Sequence, residues 1–310
     1  MNQKSILTNR VIVALLAILC CLLWGSATPS IKVAYTLFQI GSGDVMSRFL
    51  LAGVRFAFAG VLIIAYGSVT GKKLIRPQKE NLFLVFKLGM VQTVLQYVLF
   101  YSALAYTTGM KSAILGASAT FFSIIFSALF HMEKMTSRKV LGCLIGFAGV
   151  VIINLSGGSF GPLNLKGDGG MIAQTIVNGY AAILIKRYSV REDPVVLTGY
   201  QFLFGGLLLC ISGLIGGGKL LAQAPSAWLL MLYMAFLSAV AYTLWTLLLK
   251  YNPVSTVTIY NFSNPVFGVL LSALILKESN TFTPIQCVFS LILVCTGILI
   301  VNVRINRNRK

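Results

Sequence analysis

The feature that most constrains this chain is a series of ten apolar blocks, each about 18 to 24 residues long, separated by short polar connectors. A helix of that length crosses the roughly 30 Å hydrocarbon core of a bilayer. A membrane β-barrel is excluded, because its strands are about ten residues of alternating polarity, whereas these blocks are continuously apolar. A soluble globule is also excluded, since 57% of the residues are hydrophobic and only 10% are charged. The sequence therefore predicts an all-α polytopic membrane protein.

Short connectors separate the predicted spans. In round boundaries the ten spans are 11–34, 45–67, 82–105, 110–131, 138–155, 169–186, 195–215, 228–249, 254–276 and 284–303. The longest connectors run from Val69 to Asn81 and from Ser156 to Asp168. Because no connector is long enough to hold a soluble domain, we expect the function to reside within the bilayer.

The basic charge of the chain is distributed as in a membrane protein. A net charge of +18 would suggest a nucleic-acid partner for a soluble protein. With the N terminus inside, however, 17 of the 25 Lys and Arg residues fall on the cytoplasmic side, against four outside and four within spans. This distribution satisfies the positive-inside rule. We therefore predict a multi-pass protein of the cell membrane, with both termini cytoplasmic, embedded in lipid and without a nucleic-acid partner.

The chain contains an internal repeat. At an offset of 145 residues, Ala117–Glu133 matches Phe262–Glu278. The same offset, or one adjusted for loop length, aligns further pairs of residues. These pairs include Tyr97/Tyr242, Phe56/Phe202, Gly25/Gly179 and Lys32/Lys186. One difference between the copies is that Thr120 in the first stands where Pro265 stands in the second, so the two halves are not expected to bend alike at that depth.

The repeat predicts a transport mechanism. We expect two five-helix repeats, residues 1–155 and 169–310, joined by an extracytoplasmic linker at 156–168. Because five is odd, the second repeat must enter the membrane inverted relative to the first. Inverted halves can open a central site to either face in turn, which is the basis of alternating access. The sequence thus favours a secondary transporter of small molecules.

Several short motifs follow one another along essentially the whole chain. They are Leu23-Trp24-Gly25-Ser26, Arg55-Phe56, Phe130-His131-Met132-Glu133, Gly149-Val150-Val151, Asn264-Pro265-Val266 and Leu276-Lys277-Glu278. In the order and spacing of these motifs the chain resembles the EamA-type branch of the drug/metabolite transporter superfamily. The resemblance implies ten helices around a central pathway, with the fifth and tenth helices peripheral. It also implies transport of small metabolites such as amino acids, nucleosides or amphipathic toxicants, with export favoured by analogy.

Arg55, near the middle of the second span, is a candidate substrate-binding residue. An arginine at that depth costs a few kcal/mol at minimum on insertion scales and must face protein or water. Arg48 and Lys32 lie nearer the outside and could extend an electropositive route for a carboxylate. Two interpretations of Arg55 stay open: it binds substrate, or it ties two helices together through backbone carbonyls.

Polar and aromatic residues on the other spans are candidates for the wall of a cavity. The substrate-binding candidates besides Arg55 are Trp24, Gln92, Gln96, Asn178, Tyr242, Trp245, Asn261 and Asn264. Pro29 and Pro265 are candidate kink or gating positions, because proline removes a helical hydrogen bond. Transporters hold ligands at kinked, polar half-helices near the midplane. The alternative for each polar residue is a hydrogen bond between helices, and for each aromatic residue a place in the interfacial belt.

The spans contain no deeply placed carboxylate, which is the usual carrier of protons or sodium in coupled transporters. Facilitated diffusion or exchange of nucleosides, sugars or organic anions is therefore an alternative to coupled export. With one histidine and no paired cysteine motif, we expect no metal site, and we expect no cofactor. No hydrolytic motif suggests an enzyme. Gly142, Gly146 and Gly149 form a small-residue stripe that predicts close helix packing, with a homodimer face as a further possibility.

Overall fold

The computed structural model describes residues 3–107, 109–155, 164–276 and 284–302, and these residues form an all-helical protein without strands. The helices of the N-terminal half are α1 Gln3–Leu7, α2 Arg10–Leu37, α3 Val45–Thr70, α4 Leu82–Leu88, α5 Gln96–Leu104, α6 Gly109–Ala117, α7 Ala119–Leu129 and α8 Ser137–Leu155. Those of the C-terminal half are α9 Gly170–Tyr188, α10 Pro194–Ile215, α11 Pro225–Tyr251, α12 Val254–Thr258, α13 Ser263–Leu276 and α14 Pro284–Asn302. Four short segments complete the described elements: 3-10 turns at Lys79–Asn81 and Ile259–Phe262, and π-helical segments at Gly89–Leu95 and Leu165–Gly169.

Helices lie at each of the ten predicted places, and their ends differ from the predicted ends by a few residues. Among the described residues, eight segments are long and apolar enough to cross a membrane. They are Arg10–Leu37, Val45–Thr70, Lys79–Leu104, Lys111–Leu129, Pro194–Ile215, Pro225–Tyr251, Val254–Ile275 and Ile285–Asn302. The remaining two predicted spans correspond to α8 and α9, and their membrane crossing stays a prediction.

Side-chain caps mark the starts of several helices. The Asn9 side chain accepts hydrogen bonds from the first backbone N–H groups of α2, and Asp44 and Asp193 do the same for α3 and α10. These side chains satisfy N–H groups that have no intrahelical partner. Proline at the first position of α10 and of α11 fits the same region, because the missing N–H would be unpaired there anyway.

Corresponding helices of the two halves pack against each other in antiparallel pairs. In the pair α3 and α10, a Cβ atom at Gly53 would lie 2.5 Å from the backbone N of Cys210. One at Gly60 would lie 2.5 Å from the backbone N of Leu203. The residue numbers of the contacts increase along α3 while they decrease along α10. The two helices therefore run in opposite directions. Only glycine allows backbones to approach this closely.

The pair α8 and α14 packs in the same way, and it shows what the predicted glycine stripe contacts. A Cβ atom at Gly142 would lie 2.9 Å from the carbonyl oxygen of Gly297, and one at Gly149 would lie 2.8 Å from that of Ser290. Gly146 faces the ring of Phe262. The stripe is therefore occupied by contacts within the chain, and a homodimer would have to use another surface.

A further pair of contacts relates the two halves. Gly25 of α2 packs against Phe267 of α13, where an added Cβ atom would lie 2.6 Å from the phenylalanine Cβ. Gly179 of α9 packs against Phe122 of α7, and the corresponding distance is also 2.6 Å. The sequence repeat aligns Gly25 with Gly179 and Phe122 with Phe267, so each half presents an equivalent glycine to an equivalent phenylalanine of the other half.

The fourth and ninth predicted spans are both interrupted, although in different ways. The fourth breaks at the single residue Ser118, between α6 and α7. The ninth breaks over a four-residue 3-10 turn, Ile259–Phe262, just before Pro265. Thr120 donates a hydrogen bond to the carbonyl oxygen of Thr258 (3.2 Å), which links the two breaks. Proline is therefore not required for an interruption at this depth.

Candidate functional site

A cavity of about 530 Å³ lies between the two halves. Its lining residues come mainly from the C-terminal half of α2, from α3, from the π-helical segment Gly89–Leu95, and from α5, α6, α9, α11, the break before α13 and α13 itself. All nine substrate-binding candidates of the sequence line it: Trp24, Arg55, Gln92, Gln96, Asn178, Tyr242, Trp245, Asn261 and Asn264. Pro265 lines it too, whereas Pro29 is buried within an uninterrupted α2. The structure thus brings dispersed residues to one place, and their binding role stays a prediction.

The amide side chains of the cavity are placed by local backbone features. Gln92 lies in the π-helical segment, and Gln96 begins α5 directly after it. Such segments are often found at functional sites. Gln92 and Gln96 are 7% and 5% exposed, yet neither makes a hydrogen bond to the described residues. A buried amide usually has a partner, so these two groups are available to a ligand or to water in the cavity.

Aromatic rings form one wall of the cavity. Trp24 contacts the rings of Tyr242 and Trp245, at centroid distances of 5.1 and 4.9 Å. The hydroxyl groups of Tyr97 and Tyr242, which the sequence repeat aligns, share a hydrogen bond of 2.7 Å. The indole N–H of Trp24 is buried without an acceptor among the described residues. The wall therefore offers mainly apolar surface to the cavity, with the indole donor of Trp24 enclosed within it.

Arg55 is 4% exposed and lines the same cavity. Its Nε donates hydrogen bonds to the hydroxyl of Ser238 (2.8 Å) and to the carbonyl oxygen of Met234 (3.3 Å) on α11. Its terminal NH₂ groups make no hydrogen bond to the described part of the chain. The tie between helices that the sequence left open is therefore present at Nε, and the guanidinium group also lies over the ring of Phe56 at 5.2 Å.

Arg48 does not extend the cavity as the sequence suggested. Its guanidinium group donates to the carbonyl oxygens of Gly41 and Ser42, and it stacks on the ring of Tyr35 at 5.0 Å. These contacts fold the loop before α3 back onto that helix. Lys32, in contrast, does line the cavity.

The opposite end of the bundle is closed by Glu133, between α7 and α8. Its carboxylate accepts hydrogen bonds from Lys139 Nζ (2.6 Å), from Ser127 Oγ (3.0 Å), and from both the backbone N–H (3.1 Å) and the hydroxyl of Ser255. Burial of the carboxyl group opposes its ionisation, but the hydrogen bonds from Lys139 and Ser255 outweigh that effect and hold the pKa of Glu133 below its usual value. The network joins the α7–α8 connection to the start of α12.

Lys186 and Asn252 close the same end a few residues away. Lys186 Nζ, at the end of α9, donates to the carbonyl oxygens of Lys250 (3.0 Å) and Asn252 (2.7 Å) at the end of α11. The Asn252 side chain in turn donates to the carbonyl oxygen of Leu7 (2.8 Å). A lysine at a helix C terminus satisfies carbonyls that have no intrahelical partner and complements the helix dipole.

Sequence reasoning missed some residues of the site. Ser112 and Gly116 of α6 line the cavity and were not among the candidates, because small residues in a span carry little signal of their own. The closing contacts of Glu133 and Lys186 were also missed. The repeat itself held the signal for Lys186, since it aligns this residue with Lys32 at the cavity.

A bundle of membrane-length helices around a cavity lined by aromatic, amide and basic side chains is typical of membrane transporters. A family model described as the EamA-like transporter family matches residues 11–155 and again residues 165–303. The chain belongs to this family, which is of the drug/metabolite transporter type.

Individual relatives agree with this assignment. The uncharacterized transporter YvbV of Bacillus subtilis (strain 168) is 25% identical over 297 residues, which are 94% of this chain and 92% of its own. The uncharacterized inner membrane transporter YedA of Escherichia coli (strain K12) is 30% identical over 262 residues, 81% of this chain and 78% of its own. A solved crystal structure shares the fold with a TM-score of 0.76, over 95% of this chain and 97% of its own, at 19% identity.

Proposed function

We propose that this protein is a secondary carrier of small organic metabolites, such as amino acids or related amphipathic solutes, and that it works by alternating access, with export as its favoured direction. The observation that carries the proposal is the cavity, whose amides are unpaired within the described residues while the other end of the bundle is closed by Glu133 and Lys186. A carrier needs such an asymmetric state, together with a means of reversing it.

The two antiparallel pairs, α3 with α10 and α8 with α14, support a reversal mechanism. We propose ten spans arranged as two inverted repeats, with both termini in the cytoplasm of the cell. In this orientation the cavity opens outward and Glu133 lies at the cytoplasmic end. Exchange of contacts between equivalent helices of the two repeats would then produce the inward-facing state.

One alternative has support of its own. Among the described residues that line the cavity there is no Asp or Glu. A cavity without a carboxylate lacks the usual binding group for a driving proton or sodium ion. Exchange or facilitated diffusion of nucleosides, sugars or organic anions is therefore the second candidate.

Counterflow in proteoliposomes tests the proposal. Vesicles preloaded with pooled unlabelled amino acids, nucleosides or organic acids receive labelled solutes outside, with and without a pH gradient. A carrier produces transient, saturable accumulation of one tracer, whereas a pore produces none. Dependence on the pH gradient separates coupled export from exchange.

A variant that fills the cavity provides the structural control. A Cβ atom at Gly116, which lines the cavity, would meet nothing within 4 Å, so Gly116→Trp is expected to fold and to abolish counterflow. Gly41 lies in an exposed loop and is equally unobstructed, so Gly41→Trp is expected to transport normally. Counterflow that survives Gly116→Trp would contradict a pathway through this cavity.

A further inference from the structure

The two halves of the molecule differ in charge at one equivalent position. The offset that aligns Phe56 with Phe202 also aligns Arg55 with Gln201, and the offset of Tyr97 and Tyr242 aligns Thr93 with Ser238. Arg55 Nε donates to Ser238 Oγ at 2.8 Å. Thr93 Oγ1 donates to Gln201 Oε1, also at 2.8 Å. The same tie between helices is therefore made twice, once with an arginine and once with a neutral amide.

This equivalence helps to decide whether Arg55 binds substrate or only ties two helices together. Because Gln201 makes the tie without a charge, the tie alone does not require a guanidinium group. A positive charge within a membrane span is costly and needs compensation. The guanidinium group lies over the ring of Phe56, with its central carbon 5.2 Å from the ring centroid, which compensates part of the charge. Its terminal NH₂ groups make no hydrogen bond to the described residues, although the residue lines the cavity. An anionic ligand in the cavity would supply the missing partner.

The rest of the cavity is suited to such a ligand. Its charged lining residues, within the described part of the chain, are Arg55 and Lys32, and both are cationic. A guanidinium group binds a carboxylate through two parallel hydrogen bonds, and its strength is greatest where water is excluded. Trp24 and Tyr242 offer flat apolar surface beside the charge.

We propose that the carried substrate is a small organic monoanion, a carboxylate with a flat apolar body, and that Arg55 binds its carboxylate. Ser238 is a positioning residue that holds Nε so that the two terminal NH₂ groups face the cavity. The inference rests on the proposed carrier function and specifies the substrate class of the same cavity.

Exchange assays with solutes matched in skeleton test the substrate class. Proteoliposomes are loaded with pooled small aromatic and aliphatic carboxylates, with their primary amides, or with the corresponding amines, and the isotopically labelled pool is added outside. We expect saturable exchange of members of the carboxylate pool. Arg55→Gln recreates the arrangement at Gln201, so it should fold and should reduce that exchange by about tenfold or more, as for the loss of one charge-assisted pair.

Matched variants separate binding from positioning. Ser238→Ala removes the tie and keeps the charge, so it should raise KM for the carboxylate and leave discrimination against the amide intact. Thr93→Ala removes the equivalent neutral tie and should alter thermal stability like Ser238→Ala, with a smaller change of KM. Thermal unfolding in detergent checks that each variant is folded.

The outcomes distinguish the inference from the proposal beneath it. Exchange of amides or amines alone, or carboxylate exchange that is equal in Arg55→Gln, would overturn the anion assignment while the carrier function stands. Absence of exchange with every pool, from folded protein, would overturn the carrier function and the inference with it.

Discussion

At the end of the bundle that holds Glu133, polar side chains are paired with one another, whereas at the cavity several amides have no partner among the described residues. Glu133 alone accepts four hydrogen bonds from Ser127, Lys139 and Ser255. Gln92 and Gln96 are as deeply buried as many core residues and accept none. Because unpaired buried amides are costly, the paired end is the one expected to contribute more to stability, while the amides of the cavity remain available to a ligand or to water.

The largest loss of stability is expected when the hydrogen bonds of Glu133 at the closed end are weakened. Glu133→Gln removes the charge that Lys139 and Ser255 bind, and hydrogen bonds to charged groups are worth about 1.5–3 kcal/mol each. We expect the free energy of unfolding to fall by about 2–3 kcal/mol, and the cavity end to become less accessible from outside. Thermal unfolding in detergent measures the first effect. Glu80→Gln, at an exposed carboxylate, is the control, and equal melting of the two variants would contradict the comparison.

A smaller loss of unfolding free energy is expected from added side-chain atoms at the glycines where the two halves pack most closely. Gly25→Ala and Gly179→Ala each place a Cβ atom 2.6 Å from a phenylalanine Cβ of the other half. Overpacking of this kind costs about 1–3 kcal/mol, and we expect similar losses of unfolding free energy for the two variants. Gly116→Ala places its Cβ in the open cavity and should cost much less. Unequal losses at Gly25 and Gly179 would argue against equivalent packing of the halves.

Much of this architecture could be predicted from hydropathy and from the repeat. The span predicted at 45–67 is α3, Val45–Thr70, because the length of an apolar block is fixed by the membrane. The cavity residues were predicted because a polar group in an apolar span must face something polar.

Other features could not be predicted, because they depend on tertiary contacts. The π-helical segment at Gly89–Leu95 and the break at Ser118 carry no proline, so composition alone did not reveal them. Gly89 packs against the backbone of Gln201, where an added Cβ would lie 3.0 Å from the carbonyl oxygen. The role of Glu133 likewise depends on Ser255, which is 122 residues away in sequence.

A cavity amide should affect binding and leave stability unchanged. Gln96→Leu keeps approximate volume and removes one hydrogen-bonding group from the cavity. We expect the substrate to bind about tenfold more weakly, since one lost hydrogen bond is worth about 1 kcal/mol or slightly more. The free energy of unfolding should stay within about 1 kcal/mol of that of the parent chain, because the amide has no partner among the described residues to lose. A clear loss of stability without a loss of affinity would identify Gln96 as a packing residue.

The smallest change in stability is expected from a change of pH. Measuring stability against pH compares the two ends of the bundle directly. At the cavity end Asp168 accepts hydrogen bonds from the backbone N–H of Asn164 (3.0 Å), from Lys111 Nζ (2.9 Å) and from Thr107 Oγ1 (2.9 Å). The bond from Asn164 has the largest influence, and with Lys111 and Thr107 it holds the pKa of Asp168 below its usual value despite burial. Within the part of the chain that the structure describes, each end of the bundle thus has one carboxylate with a lowered pKa, Asp168 at one and Glu133 at the other.

A carboxylate with a lowered pKa in the folded protein contributes stability above its ordinary pKa, and this contribution is lost as the pH falls through the folded value. Melting temperatures of the parent chain and of Glu133→Gln should therefore stay separated by a constant gap from about pH 8 to about pH 5. Below the ordinary value of 4.5 for Glu133, the gap should narrow as the parent loses its ionised carboxylate. The gap in melting temperature between the parent chain and Asp168→Asn should likewise be constant at higher pH and should narrow below 3.8, the ordinary pKa of Asp168. A gap that narrowed between about pH 8 and pH 6 would instead mean that burial dominates the titration of Glu133 and that its hydrogen bonds do not close the end.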